Sequence, residues 1–200
     1  MIQEALRRCK VFVLSVFVIY WLSGLVGMIM VHQGNQYALS YRDNMVQHAL
    51  ATDKASIHYG LGNRFTAAVI DFGENLVFGA IPQTLMGFGV VIPLVSVSIQ
   101  GWMGGIVSVD ADHKSRLRLF QSACYYLLVL LLQFIPYSLV IGAGVKCGID
   151  FYVHNKINSW SIGKYRFQKE SLRDLALIYL LAIPLFFLAS CYEFLSPWNA

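Results

Sequence analysis

Four long apolar runs, separated by polar connections, divide the chain. The runs without a charged residue are Val11–Val31, Leu76–Val109, Leu119–Val145 and Leu175–Tyr192. A helix of about 20 apolar residues crosses the roughly 30 Å hydrocarbon layer of a bilayer, and each run approaches or exceeds that length. The pattern predicts an all-α, polytopic membrane protein that forms a single integral membrane domain over residues 1–200.

The run Leu76–Val109 is the longest, with 34 positions that hold no Asp, Glu, Lys, Arg or His. It is too long for one ordinary spanning helix and barely long enough for two. Glycines and prolines interrupt it at Gly79, Pro82, Gly87, Gly89, Pro93, Gly101, Gly104 and Gly105. We predict a Gly/Pro-rich helical hairpin that bends near Gly87–Pro93, where glycine and proline weaken a helix. Each arm would be short, so the first is expected to begin earlier, near Phe65–Asp71.

The distribution of basic residues bears on the number of crossings, because cytoplasmic connections collect Lys and Arg. If Leu76–Val109 crosses twice, nine of the 15 basic residues lie on the cytoplasmic side, in the N-terminal segment and in residues 146–174. If it crosses once, nine lie outside. Two crossings are favoured, which gives five spans with the N-terminus in the cytoplasm; a single crossing stays the alternative.

The polar connection 32–75 is expected on the extracytoplasmic side. Apolar residues recur in it at helical spacing, at Tyr37, Tyr41, Met45 and Ala49 and then at Leu50 and Ile57. This spacing predicts one or two amphipathic helices at the membrane surface. A basic N-terminus before an apolar run is also typical of a signal peptide. Here the run is too long and no small-residue cleavage site follows it, so we expect a retained first helix.

Composition agrees with a membrane protein, since 57% of the residues are hydrophobic and only 13% are charged, against about 25% charged in soluble domains. The net charge of +4 is spread along the chain, which suits a lipid bilayer better than nucleic acid. The four cysteines and five histidines lack metal-ligand spacing. No nucleotide-binding or hydrolase motif occurs. We therefore expect no enzyme, metal or cofactor; a membrane enzyme is the weakest alternative.

The strongest site candidates are Asp71, Glu74 and Asn75. Asp71 and Glu74 share one helical face, and ionisable groups at membrane depth are costly and usually functional. The structural alternative, which the sequence favours, is that they are acids at a helix start. Glu193 follows the last apolar run and is a further interfacial acid.

The glutamines inside the apolar runs have two possible roles, and the glycines there are predicted to serve packing. Gln83, Gln100 and Gln133 either hydrogen-bond across helices, at about 1 kcal/mol each, or line a conduit; the first is favoured. The residues predicted to serve helix packing and partner docking are Gly87, Gly89, Gly101, Gly104, Gly105 and Gln100.

The order of these features resembles the stage II sporulation protein M (SpoIIM-like) family of bacterial and archaeal membrane proteins. The matching residues are Phe72, Asn75, Gly87, Gln100, Gly101, Gly104, Pro136 and Glu193 with the following FLSP. The likeness covers the chain from Phe72 to its end. Family members commonly carry a Pro-His-Gly step followed by a Glu, whereas this chain has Pro136, Tyr137 and Ser138 and no acid in the three residues after them.

The resemblance implies a non-enzymatic protein of the bacterial cytoplasmic (inner) membrane. Relatives organise cell-wall enzymes at the sporulation septum or accompany bacteriocin export. The first hypothesis is therefore a scaffold or accessory subunit that docks other membrane or cell-envelope proteins through its Gly-rich hairpin. Its partners would include an ABC-type exporter ATPase or a second copy of the chain. The alternative is a transporter or export-permease component whose polar path is lined by Asp71, Glu74 and the intramembrane glutamines.

Overall fold

The computed structural model describes residues 1–157 and 168–198. Within these ranges the chain is helical and forms no β-strand, which confirms the all-α prediction. The helices are α1 (Ile2–His32), α2 (Gln36–Thr52), α3 (Lys54–Gly60), α4 (Arg64–Glu74), a π-helix (Asn75–Ala80), α5 (Ile81–Gly87), α6 (Ile92–Ile106), α7 (Phe120–Ile157) and α8 (Lys169–Leu195).

Three of these helices, α1, α7 and α8, are long and apolar enough to cross a membrane, and α6 is apolar but shorter. Their outward faces are apolar as well. Along α1 the exposed large side chains recur every three or four residues, at Val11, Leu14, Val18, Leu22, Leu25 and Ile29. Soluble proteins rarely expose so continuous an apolar stripe to water. The bundle is therefore compatible with a lipid environment.

Relative to α1, helices α6 and α8 run parallel and α7 runs antiparallel. Helix α6 runs parallel to α1, because Gly101 lies against Tyr20 and Gly105 lies further along, against Gly24. Helix α7 runs the opposite way, with Phe134 stacked on Tyr20 and Gly142 against Val13. Helix α8 again follows α1, starting beside Arg8. The bundle thus has an Arg8 end, where α1 and α8 begin, and a His32 end, where α1 finishes.

The stretch from Arg64 to Gly87 is one continuous run of 24 helical residues made of α4, the π-helix and α5. Pro82 explains the π-helix, because proline lacks the N–H that an α-helix would direct to the carbonyl of Phe78, and its ring crowds that carbonyl. The backbone responds with a wider turn, in which the N–H of Ile81 bonds to the carbonyl of Leu76.

The chain reverses after α5 at residues 88–91, inside the predicted bend, where Val90 adopts a left-handed φ of 55°. Pro93 then lies in the first turn of α6, where a missing N–H costs nothing. The two arms diverge instead of packing along each other: α5 packs mainly on α7, and α6 packs mainly on α1.

The connection 32–75 folds into α2, α3 and α4 and ends at the first residue of the π-helix. The residues of α2 that are buried in the protein are Ala38, Leu39 and Arg42, whereas Tyr37, on the apolar face predicted to lie at the membrane surface, is 68% exposed. Ala38 and Leu39 pack with Val31 of α1 and Ile106 of α6. The contact surface is therefore set by the ends of α1 and α6 and not by the most apolar stripe of α2.

Ionic contacts join the helices at the Arg8 end. The guanidinium of Arg8 donates to both carboxylate oxygens of Asp174, at 2.6 and 2.5 Å, and lies 3.3 Å from Glu170. Lys146 pairs with Asp150, whose carboxylate also accepts a hydrogen bond from Ser171 of α8 at 2.5 Å. These contacts tie α1 and α7 to the start of α8.

Candidate functional site

Polar side chains from four elements meet between α4, α7 and α8, toward the His32 end. This central polar cluster consists of Asp71 of α4, Asn75 of the π-helix, Gln133 and Tyr137 of α7, and Ser190 and Glu193 of α8. Four of the predicted site residues, Asp71, Asn75, Gln133 and Glu193, are thus brought together from three parts of the chain.

Hydrogen bonds connect the cluster pair by pair. Ser190 Oγ donates to Asp71 Oδ2 at 2.6 Å, and Tyr137 Oη donates to Asn75 Oδ1 at 2.7 Å. Gln133 Nε2 donates to Glu193 Oε2 at 3.0 Å. The side chain of Asn75 also bonds to Asp71. Each contact links α4 or the π-helix to another helix, or α7 to α8, so the cluster is an interhelical network.

Carboxyl groups dominate the electrostatics of this network. The carboxyl group of Asp71 lies close enough to that of Glu193 for the two charges to repel each other. Asp53, which precedes α3, adds negative charge near both and hydrogen-bonds with Glu74. The arrangement places Asp71 and Glu193 inside the helix bundle, with Asp53 and Glu74 near them.

The π-helix helps to position these groups. It begins at Asn75, directly after Glu74, and its Gly79 leaves no room for a Cβ atom beside the Tyr137 hydroxyl. The phenol can therefore approach the π-helical backbone and reach both Asn75 Oδ1 and, at 3.3 Å, the Asn75 carbonyl. Short π-helical segments are frequent at functional sites.

Gln83 and Gln100 lie outside the cluster. Gln100 accepts a hydrogen bond from the hydroxyl of Tyr20 at 2.7 Å, so it joins α6 to α1. Gln83 is 7% exposed, and its Oε1 atom has no hydrogen-bond partner among the described residues. Of the three glutamines predicted to line a polar path, therefore, only Gln133 lies with Asp71 and Glu193.

The predicted docking glycines serve packing within the chain. A Cβ atom added at Gly101 or Gly105 would meet the backbone of α1, and one added at Gly87 would meet the backbone of Gly144 in α7. Gly104 faces Leu130 and Phe134, and Gly89 faces Ile92 in its own turn. All five glycines thus have packing contacts within the chain, and Gly89 is exposed as well. Docking of another protein at these positions stays a prediction.

Sequence reasoning missed Tyr137 and Ser190. Both carry a signal that is visible in retrospect, because Tyr137 lies four residues after Gln133 and Ser190 three residues before Glu193. Each pair shares one helical face. The polar stripe of each helix could therefore be found, but not the neighbour that it meets.

The described residues hold no group of three or more His, Cys, Asp and Glu side chains that could bind a metal ion. The histidines near the His32 end have polar partners instead: His32 contacts Ser115 Oγ and His113 contacts Asp43, at 2.7 and 2.9 Å. Hydrogen bonds from Arg42 and His113 lower the pKa of the Asp43 carboxyl. The backbone N–H of Lys114 does the same for the pKa of Asp110.

Comparison with known proteins adds no relative: no protein-family model, curated protein or solved structure matches the chain. The likeness to the SpoIIM-like family stays a prediction from sequence. Among the residues that carry it, Asn75 and Glu193 belong to the central polar cluster. Gly87, Gly101 and Gly104 pack against neighbouring helices.

Proposed function

We propose that the protein is a five-span membrane protein of the transporter or export-permease class, whose central polar cluster exchanges protons during transport. One observation carries the proposal: Asp71 and Glu193, from helices far apart in the sequence, lie close enough inside the bundle for their carboxyl groups to interact, and each has a hydroxyl or amide partner. Ionisable groups in such positions are costly and are usually retained for proton or substrate pathways.

Five spans are supported by helix length and direction. At 1.5 Å per residue, the 24 residues from Arg64 to Gly87 extend about 36 Å, and the 15 residues of α6 extend about 23 Å. Both carry exposed apolar residues, including Phe78 and Leu85 on the first and Val95 and Ile99 on the second. A short crossing such as α6 is accommodated by local thinning of the bilayer.

Two interacting carboxyl groups bind and release protons as a coupled unit. Interrupted helices at such a site are common in transporters. Here the α-helical hydrogen bonding is interrupted by the π-helix, which begins four residues after Asp71. Further polar contacts continue toward the Arg8 end. The hydroxyls of Thr84 and Tyr179 lie 2.8 Å apart, and Asp150 with Ser171 follows. They offer proton donors and acceptors at successive depths.

The test is proton flux into liposomes that contain the purified protein and a pH-sensitive dye, driven by a potassium diffusion potential. We expect flux above that of protein-free liposomes, and a loss of at least tenfold in Asp71→Asn and Glu193→Gln. Asp43→Asn is the matched control, because Asp43 lies at the His32 end outside the cluster. Wild-type flux equal to that of empty liposomes would overturn the proposal.

A scaffold role is the second candidate, and one surface favours it. The rings of Tyr37 and Tyr41 lie against Trp102, with centroids 6.2 and 5.1 Å apart, and Tyr37 stays largely exposed. Aromatic residues are enriched at protein interfaces. A photo-reactive side chain at position 37 should then crosslink another envelope protein, an exporter subunit or a second copy. The same group at Leu50, also exposed, is the control.

A further inference from the structure

We propose that a cleft at the His32 end binds the phosphate group of an anionic amphiphile. The cleft has a volume of about 350 Å³. It lies where α7 begins and α8 ends, and its walls include Asp110, Arg116, Leu119, Ser122, Tyr125 and Trp198. The inference does not depend on proton exchange by the central polar cluster.

Arg116 supplies the positive charge. Its backbone is fixed, since its N–H donates to the carbonyl of Ser108 at 2.8 Å. Among the described residues no carboxylate forms an ion pair with its guanidinium. The planar guanidinium matches the oxygens of a phosphate group with two parallel hydrogen bonds.

Asp110 also lines the cleft, but its carboxylate is engaged within its own loop. Oδ1 accepts hydrogen bonds from the backbone N–H groups of Asp112 and Lys114, both at 2.9 Å. Those bonds stabilise the charged form of the carboxylate and hold Oδ1 within the loop, which leaves Arg116 as the cation of the cleft. The hydroxyl of Ser122, in the first turn of α7, adds a neutral hydrogen-bond donor on the opposite wall.

Apolar side chains beside the cleft favour an amphiphile over a free solute. Leu119 is 71% exposed and Phe120 is 85% exposed at the start of α7. Trp198 and Tyr125 border the cleft, and such aromatic residues are typical of the level of lipid headgroups. An arginine-lined cleft next to exposed apolar residues fits a phosphate group with an acyl chain attached.

The test measures lipid binding to the full-length protein in detergent by native mass spectrometry. Short-chain phosphatidylglycerol is the probe, and the zwitterionic phosphatidylcholine is its counterpart. We expect phosphatidylglycerol to bind at least tenfold more tightly than phosphatidylcholine, and Arg116→Gln to remove that preference. Arg118→Gln is the matched control, because Arg118 is equally exposed two residues further on but does not line the cleft.

Arg116→Lys separates charge from geometry and guards against a folding defect. It should keep part of the preference, because lysine retains the charge but loses the bidentate fork. Glycerol phosphate at millimolar concentration is the competitor. We expect the lipid to stay bound, because glycerol phosphate lacks the acyl chain that the exposed apolar residues favour. Displacement would show that the site takes a soluble phosphate ester and would overturn the amphiphile as its ligand. Equal binding of both lipids, or an unchanged preference in Arg116→Gln, overturns the proposal.

Discussion

Two helix interfaces of the same bundle are built in opposite ways. Between α1 and α6, glycines bring the backbones into direct contact, with Gly24 against Gly101 and Gly27 against Trp102 and Ile106. Between α4, α7 and α8, hydrogen-bonded polar side chains meet beside aromatic contacts such as Phe72 on Phe187 and Tyr137 on Phe186. The first interface is held by shape and tolerates no added atom. The second combines apolar packing with hydrogen bonds between ionisable, amide and hydroxyl side chains, and the proposed proton exchange depends on those groups.

The largest effect is expected from an added methyl group in the glycine interface. In Gly105→Ala the new Cβ would lie 2.9 Å from the backbone nitrogen of Met28 and closer still to Gly24. The helices must separate, which costs about 3 kcal/mol. Thermal unfolding in detergent should show a clear loss of stability. Gly73→Ala is the control, because nothing lies within 4 Å of its Cβ position and alanine is the better helix former.

The next effect concerns a polar contact that we regard as structural. Asp174 is 1% exposed and pairs with Arg8, which is partly exposed. Asp174→Asn should cost about 2 kcal/mol, less than a fully buried pair would, because water and Glu170 still solvate the guanidinium. Proton flux per folded molecule should stay at the wild-type level. A flux loss as large as that of Asp71→Asn would show that the ionic contacts belong to the proton path.

A smaller change in stability, with a larger change in activity, is expected at the central polar cluster. Tyr137→Phe removes the hydroxyl that bonds to Asn75 and should cost about 1 kcal/mol. Flux should nevertheless fall at least tenfold, because the link between the π-helix and α7 is lost. Tyr125→Phe, which removes a hydroxyl that donates to the backbone carbonyl of Glu193 at 2.7 Å, should keep most of the flux.

The smallest effect is a pH dependence at the His32 end. Arg42 and His113 lower the pKa of Asp43 in the folded state, so this carboxylate stabilises the fold at pH values above its ordinary pKa of about 3.9. The contribution is lost as the pH falls through the lowered value. Melting curves between pH 6 and 3 should therefore decline slightly less steeply in Asp43→Asn than in the wild type. A steeper decline in the variant would contradict this assignment.

The sequence predicts well what depends on a single helix. Apolar length identifies α1, α7 and α8, and the clustering of glycine and proline places the reversal between Gly87 and Pro93. Side-chain chemistry alone marks Asp71, Asn75 and Glu193 as unusual. Each of these features is determined within a few neighbouring residues.

Features that depend on which helices meet could not be read in the same way. Nothing local states that Gln133 faces Glu193, or that Gly101 and Gly105 contact α1 and not another protein. The burial of Ala38 and Leu39 could not be read from α2 alone, because their partners, Val31 and Ile106, come from other helices. Helical spacing predicts which residues share a face of a helix, but the neighbour of that face depends on how the helices pack.

The π-helix lies between two differently fastened halves of one long helix. Below it, α5 is locked to α7, where the backbones of Gly87 and Gly144 touch and Thr84 packs on Gly144. Above it, α4 is attached to α8 through the Ser190 hydroxyl and the Asp71 carboxylate. We expect any displacement of α4 relative to α5 to be absorbed at the widened turn Asn75–Ala80. Such a displacement would move Asp71 relative to α7.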